Sequence, residues 1–307
     1  MLALLALRPA TYLDAVSEGL GIFAASVFPG LFPFFVLTGL LTALGAGSLL
    51  SRAFAKPASR LFGAPPSGGY ILAMSMLSGY PVGAKLVADF YKDGIIDEYD
   101  ARAVTAFAST TGPLFVLGTI GVKMFGDYKS GVIILLTHFA SAILNGIVFR
   151  AVRKRRETRL CIPRVTGLDG KVFNDILESS VSSILRVGAC IIVFNMVIVA
   201  LGESGIIPVA GRAFEALGVA EGLGEGFASG LVEVTKGVYL IANSGATLRA
   251  AVPLVSLLVS FGGLSVTLQS MTFLNTAGVP LGYYLIVKIS QGIIAFALAT
   301  VCALIFL

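Results

Sequence analysis

The hydrophobic run of residues 68–91 is interrupted at its middle by Ser78-Gly79-Tyr80-Pro81-Val82-Gly83-Ala84-Lys85. Gly and Pro free backbone polar groups, and inside a bilayer such groups must be satisfied by protein or by a water-filled cavity. The lysine that follows adds an ionisable group that the bilayer penalises. A lipid-facing helix has no reason to contain this sequence, so it predicts a functional break inside a folded membrane domain.

The composition of the chain is that of a membrane protein. Hydrophobic residues make up 56% of its 307 residues and charged residues only 13%, whereas soluble domains carry about 25% charged residues. This composition leaves too little polar surface to cover a water-soluble globule. We therefore predict an all-α polytopic membrane protein, with the lipid bilayer as its first partner.

The sequence lacks the motifs of other functional classes. Cys161, Cys190 and Cys302 are far apart and show no CxxC spacing, so we expect free thiols rather than disulfides or a metal site. There is no HExxH, no P-loop and no nucleophile elbow in the right context. We accordingly expect no enzymatic activity, no resident cofactor and no bound metal.

A second interruption indicates an internal duplication. Ser229-Gly230-Leu231-Val232-Glu233-Val234-Thr235-Lys236 repeats the arrangement, with Ser, Gly and Lys all displaced by 151 positions. Paired interruptions in corresponding halves point to the binding site of a transporter. We predict one integrated membrane domain of two repeats, residues 1–151 and 173–307, joined by a basic linker at 152–172.

Each half is predicted to contain the same series of elements. The series is a span, an amphipathic interfacial helix, a re-entrant hairpin, a broken helix and a final span. In the first half these are 16–47 (kinked at Pro29 and Pro33), a helix around Arg52 to Phe62, 68–91, 100–125 and 131–151. In the second half they are 181–201, 206–218, 224–244, 250–274 and 281–306.

The charge distribution predicts the orientation in the plasma membrane. The linker 152–172 is rich in Arg and Lys, which favours a cytoplasmic loop; a patch for anionic lipid head groups is the sharper alternative. Three crossings in each half make the repeats inverted and place both termini outside. No aromatic interleaving accompanies the charge, so we expect no nucleic-acid partner.

The predicted solute site is the meeting point of both hairpin tips and both helix breaks. Unwound carbonyls can coordinate cations, and half-helix N-termini attract anionic or polar groups; the alternative is close packing of small residues. The candidates at the first tip and break are Ser78, Gly79, Tyr80, Pro81, Lys85, Thr110, Thr111 and Gly112. Those at the second are Gly230, Glu233, Lys236, Ser260, Gly262, Gly263 and Ser265.

The charged candidates allow two interpretations. Glu233 is a candidate ligand for a proton or Na⁺ as coupling cation, and Lys85 and Lys236 are candidate contacts for solute anions. Alternatively, each lysine forms a local neutral pair on its own helix. His138 favours an interhelical hydrogen bond over a proton relay, and Lys288 falls near it when the two halves are aligned.

Three blocks of the sequence resemble the YlbJ-type sporulation integral membrane proteins. They are the residues 28–35 (FPGLFPFF), 78–85 (SGYPVGAK) and 111–115 (TGPLF). That family is similar to the wider Gate or nucleoside recognition group, which includes the core of concentrative nucleoside transporters. The resemblance implies paired hairpins and broken helices in inverted Gate-type repeats, with solute between them, and a role in sporulation.

From these observations we expect a transporter-like protein for a small polar or charged solute, cation-coupled through Na⁺ or H⁺. The alternative is a non-transporting scaffold in the assembly of the spore envelope (cortex). The sequence leaves open the solute and a homo-oligomeric state.

Overall fold

The computed structural model describes residues 8–152 and 167–307, which are almost entirely helical and contain no strand. Most of the predicted linker, residues 153–166, and the first seven residues lie outside this description. The predicted all-α fold is therefore confirmed, whereas the proposed cytoplasmic position of the linker stays a prediction.

Within residues 8–152, the first half contains seven α-helices and two π-helical segments. The elements are α1 Pro9–Ile22, π1 Phe23–Val27, α2 Phe28–Ala43, α3 Ala46–Phe62, α4 Pro66–Ser78, α5 Val82–Lys92, α6 Glu98–Thr105, π2 Leu114–Met124 and α7 Tyr128–Val152. The second half contains α8 Gly170–Glu203, α9 Ile206–Ala216, α10 Gly224–Val232, α11 Val234–Ala242, α12 Leu248–Phe261, α13 Gly263–Leu274 and α14 Leu281–Phe306, with a short 3₁₀ turn at Asn275–Ala277.

By length and composition, four helical stretches of the described chain could cross a membrane: 128–151, 170–203, 248–277 and 281–306. A fifth span results if the bent pair 9–25 and 28–43 is counted as one. This finding confirms a multi-pass membrane protein.

Several predicted boundaries differ from the structure, most of all those of the first span and of α8. The first span begins at Pro9 and bends by 50° beside π1, whereas Pro33 lies inside α2. The predicted span 181–201 is the 34-residue helix α8, which begins at Gly170 because the Asp169 carboxylate caps it by accepting from the Val172 N–H at 2.7 Å. Residues 170–172, predicted as linker, therefore belong to this helix.

Helix ends from both halves meet at two opposite faces of the bundle. At one face, the Gly167 N–H donates to the Ala43 carbonyl at 3.2 Å, and Gly63 lies against the Arg150 side chain. We call this the linker face. At the other, Arg8 pairs with Glu203 at 2.8 Å. The long helices therefore run from face to face, consistent with the two-repeat hypothesis, which stays a prediction.

Both predicted hairpins double back within the bundle. In the first hairpin (α4–α5), a Cβ placed on Gly83 would lie 3.1 Å from the Ser75 Cβ, although a continuous helix would separate these residues by two turns. In the second (α10–α11), a Cβ on Gly237 would lie 2.1 Å from the Gly230 Cα. Only glycine permits the second approach, because each alternative side chain would overlap backbone atoms.

Candidate functional site

The two hairpin tips contact the two helix breaks through backbone atoms. A Cβ on Gly79 would lie 2.5 Å from the Gly112 nitrogen, so the first tip lies directly on the first break. A Cβ on Gly263 would lie 3.1 Å from the carbonyl oxygen of Val232, the residue before Glu233, so the second tip lies on the second break in the same way. Gly79 and Gly263 have φ angles of +80° and +73°, where L side chains are strained.

The two pairs are joined to each other by side chains. The Tyr80 hydroxyl donates to the Val259 carbonyl at 3.2 Å, and the Thr111 hydroxyl reaches the same carbonyl at 3.5 Å. Both donors belong to the first half, and the acceptor lies three residues before Gly262, where the second break begins. The predicted meeting of tips and breaks is therefore a feature of the structure.

A narrow central cavity of about 70 Å³ lies at this crossing. Its polar lining contains five of the predicted site residues, Tyr80, Thr111, Gly112, Glu233 and Ser265, together with Thr235 and Gln269. Val187, Cys190 and Ile191 of α8 and Val27 and Leu31 of the first span form much of its apolar wall. This volume accommodates only a few water molecules or an equally small solute.

Two polar side chains that line the central cavity are almost completely buried. Glu233 is 3% exposed and caps α11, with Oε2 accepting from the Lys236 N–H at 2.7 Å. Gln269 is 6% exposed, and its Nε2 has no hydrogen-bond partner among the described residues. A buried amide without a partner costs about 1–3 kcal/mol. A ligand with an acceptor atom in this cavity would recover that cost.

His138 links both breaks in a defined tautomer. Its Nε2 accepts from the Thr111 N–H at 2.8 Å, so this nitrogen carries no proton, and Nδ1–H donates to the Ser260 hydroxyl at 2.8 Å. The ring is therefore neutral in this structure. His138 therefore forms interhelical hydrogen bonds, as the sequence led us to expect.

Lys288 is the buried cation of the crossing. Its side chain is 0% exposed, and Nζ donates to the Tyr80 hydroxyl at 2.7 Å, the Ser109 carbonyl at 2.9 Å and Gln291 Oε1 at 2.9 Å. The ammonium lies 4.8 Å from the centre of the Tyr80 ring, which adds a cation–π contact.

A larger cavity of about 350 Å³, here called the vestibule, lies on the linker side of the first tip. It runs along α5 from Pro81 past Lys85 to Asp89, and α2 and the start of α8 form its other walls. Half of the residues that line it are hydroxyl-bearing or charged: Thr38, Thr42, Lys85, Asp89, Asp175, Ser179, Ser180 and Ser183. Its volume falls at the lower end of small-molecule pockets.

A third cavity of about 300 Å³ extends in the opposite direction from the second tip. It runs along α11 from Thr235 to Tyr239 and along π2 from Thr119 to Lys123. Thr235 also lines the central cavity. The vestibule and the third cavity thus each follow the second arm of one hairpin away from the central cavity.

The remaining predicted residues lie beside the central cavity rather than in its wall. Ser78 bonds to Thr38 at 2.5 Å, Thr110 to Ser75 at 2.9 Å, and Ser260 to His138. Pro81 and Lys85 line the vestibule. Gly230 lies inside α10 and packs on Leu258, so the packing alternative describes it better than a tip position.

The two lysines proposed as solute contacts are both in ion pairs. Lys85 pairs with Asp89 at 3.1 Å, as the local-pair alternative expects. Lys236 pairs with Glu18 of α1, and not with Glu233. The alternative of a local pair between Glu233 and Lys236 is therefore wrong. The Glu233 carboxylate instead accepts from the Lys236 backbone N–H and caps the N-terminus of α11.

Gln269, Thr235 and Lys288 were not among the site residues predicted from the sequence. Gln269 and Lys288 are polar residues within apolar helices, which was the one available signal. The thiols of Cys190 and Cys302 are free, as expected, and Cys161 lies outside the described residues.

Comparison with known proteins finds a similarity to a sporulation protein. It is 28% identical over 316 aligned positions to the sporulation integral membrane protein YlbJ of Bacillus subtilis strain 168, covering 94% of this chain and 76% of that protein. No family model matches the chain, and no solved structure matches it. The similarity extends over nearly the whole chain, and it confirms the predicted resemblance: the chain is similar to a sporulation integral membrane protein.

Proposed function

We propose that the chain is a carrier that moves a small polar solute through the crossing of its hairpin tips and helix breaks, rather than an enzyme. The observation that carries this proposal is the central cavity, where both tips and both breaks contribute lining residues. Interrupted helices at membrane depth are tolerated where they line a cavity or are buried in protein, and both conditions hold here.

The positions of the other two cavities support alternating access. The vestibule follows the first hairpin toward the linker face, and the third cavity follows the second hairpin away from its tip. Movement of one hairpin tip at a time would connect the central cavity to one side and then to the other. The first tip separates vestibule from central cavity, since Pro81 lines one and Tyr80 the other.

The chemistry of the lining indicates the class of solute. The Gln269 amide can donate, the Glu233 carboxylate can accept, and the hydroxyls of Thr111 and Ser265 can do both. A compact solute that carries both donors and acceptors, or a small cation with a hydration shell, would satisfy these groups. A nucleoside does not fit the central cavity in this conformation, because drug-sized ligands occupy about 300–1,000 Å³.

The similarity to YlbJ supports a role in sporulation at the plasma membrane. That relative is named as a sporulation integral membrane protein, and the alignment covers 94% of this chain. We propose that the carrier serves spore formation and that the basic linker 152–172 lies in the cytoplasm.

The proposal is tested on the purified full chain. A thermal-shift screen of small polar metabolites and ammonium-type cations should identify a ligand that raises the melting temperature. Glu233→Gln and Gln269→Leu should abolish that shift and the uptake of the same ligand into proteoliposomes. Glu225→Gln is the matched control, because Glu225 lies on the same hairpin but is exposed.

The scaffold alternative predicts a different outcome. In that case no ligand would shift the melting temperature, Glu233→Gln would leave proteoliposome permeability unchanged, and sporulation would still depend on the protein. Complementation of a sporulation-deficient deletion strain with Glu233→Gln and Glu225→Gln separates the two accounts. The carrier account requires that only the first variant fails.

A further inference from the structure

Lys288 differs from every other cation of the described chain. The described ion pairs join Arg8, Lys85, Arg102 and Lys236 to carboxylates, whereas Lys288 is completely buried and each of its acceptors is a neutral oxygen. A buried cation without a counterion is costly within a membrane, and such residues mark ion pathways or relays. Stability alone therefore does not explain this side chain.

The three acceptors come from three parts of the crossing. Tyr80 belongs to the first tip, the Ser109 carbonyl immediately precedes the first break, and Gln291 lies one turn further along α14. Together they use all three N–H groups of an ammonium. A hydroxyl, an unwound backbone carbonyl and an amide oxygen are also the kinds of ligand that a bound hard cation takes.

We propose that the Lys288 ammonium is a built-in cation, which takes the place of a bound Na⁺ where the first tip meets the first break and makes H⁺ the coupling ion. The role in coupling rests on the proposed carrier function, whereas the position of the built-in cation does not.

The geometry allows this cation to lose its proton without leaving an unsatisfied atom. In the charged form, Nζ donates to Tyr80, and the Tyr80 hydroxyl proton is directed to the Val259 carbonyl of α12. In the neutral form, the amine keeps two N–H donors for Ser109 and Gln291, and its lone pair accepts a hydrogen bond from the Tyr80 hydroxyl, which keeps its proton. One proton leaves through the central cavity, and the bond from the first tip to α12 is lost.

The titratable neighbours are compatible with this exchange. Tyr284, one turn earlier on α14, donates to or accepts from Ser109 at 2.7 Å. His138 on α7 is neutral, because its Nε2 accepts from a backbone N–H. Glu233 lines the central cavity together with Tyr80 and can receive the proton. Arg249, the charged residue of α12, is exposed near the start of that helix, whereas Val259 lies near its end.

The test is chemical rescue of Lys288→Ala in the purified full chain. Melting temperatures are measured in NaCl, methylammonium chloride and choline chloride at equal ionic strength. The wild-type protein should melt at the same temperature in NaCl and choline chloride, and its melting temperature in methylammonium chloride is the reference for the variants in that salt. Lys288→Ala should melt several degrees lower in choline and regain part of the loss in methylammonium or Na⁺, which fit between the vacated oxygens. Lys288→Met fills the space without charge and should not respond; Lys92→Met, at an exposed lysine, should resemble the wild type.

A second measurement covers the case in which Lys288→Ala does not fold. The ¹³Cε resonance of Lys288, assigned by its loss in Lys288→Met, reports its protonation directly. Its chemical shift should change as the pH is varied, and Tyr80→Phe should move the midpoint of that change, because the Tyr80 hydroxyl bonds to both forms. A resonance without titration would refute proton exchange.

Outcomes against this proposal are distinct from outcomes against the carrier function. A specific rise of the wild-type melting temperature in Na⁺, or a Lys288→Met variant as stable as the wild type with no rescue of Lys288→Ala, would overturn the built-in cation. Neither result affects ligand binding by Glu233 and Gln269. Conversely, failure of those two variants to alter uptake would remove the carrier function and leave the rescue experiment valid.

Discussion

Replacing Gly79 by alanine should separate the first hairpin tip from the first helix break. Gly79 has φ +80° and ψ −169°, a region essentially restricted to glycine, where other residues cost about 1–3 kcal/mol. The new Cβ would also lie 2.5 Å from the Gly112 nitrogen and 3.2 Å from its Cα. These are backbone atoms that cannot rotate away, so overpacking adds about 1–3 kcal/mol. The sum is about 2–6 kcal/mol of lost stability.

The assay is thermal unfolding of purified protein in detergent, together with ligand binding where a ligand is known. A loss of this size should lower the melting temperature by on the order of 5–20 °C. Gly94→Ala is the matched control, because Gly94 has φ +68° but no heavy atom within 4 Å of the added Cβ. Gly94→Ala should lose only the stability that a left-handed backbone conformation costs an L residue, about 1–2 kcal/mol. If Gly79→Ala loses no more stability than Gly94→Ala, the close contact of tip and break is refuted.

Three further substitutions test the surroundings of the site by thermal unfolding. Asn145→Leu should cost about 2–5 kcal/mol, because the Asn145 amide bonds to the Ala106 and Val287 carbonyls inside the bundle; an unchanged melting temperature would contradict this. Lys85→Met should change stability by less than about 1 kcal/mol, since its pair with Asp89 is partly exposed, and a larger loss would indicate a structural role for the vestibule pair. Asp127→Ala should cost about 1 kcal/mol near neutral pH, and the difference from the wild type should disappear as the pH falls below the ordinary pKa of an Asp carboxyl.

The sign of the last effect follows from hydrogen bonding. The Ser130 hydroxyl and N–H donate to the Asp127 carboxylate and hold the pKa of that group below its ordinary value. A carboxyl with a lowered native pKa stabilises the fold above its unfolded pKa, and this contribution is lost as the pH falls through the native pKa. A difference that persists at low pH would show that the cap does not depend on the charge.

The interruptions could be predicted from sequence because their cause is local. Gly79 and Pro81 within an apolar run, and Gly262-Gly263 within another, remove helical hydrogen bonds wherever the chain goes. The structure ends a helix at both positions. The residue-by-residue alignment of the two halves was less predictable. Gly230 matches Gly79 by its spacing, but in the structure it allows α10 to pack closely on α11. The break of the second hairpin is at Glu233.

Polar contacts across the bundle could not be predicted, because their partners are far apart in sequence. Lys288 and Tyr80 are separated by 208 positions, and neither has a local pattern that indicates the other. The same holds for Lys236, whose partner is Glu18 on α1 rather than Glu233. The long α8 was also underestimated, because its first turns carry the serines and Asp175 of the vestibule and lack apolar periodicity.

The central claim is that three cavities form one path between opposite sides of the membrane. It is tested by the labelling of single cysteines with a membrane-impermeant maleimide, in a background with Cys161, Cys190 and Cys302 replaced by serine. Ser179→Cys in the vestibule should react only from the cytoplasmic side, and Tyr239→Cys in the third cavity only from outside. Reaction of both cysteines from the same side would contradict the path.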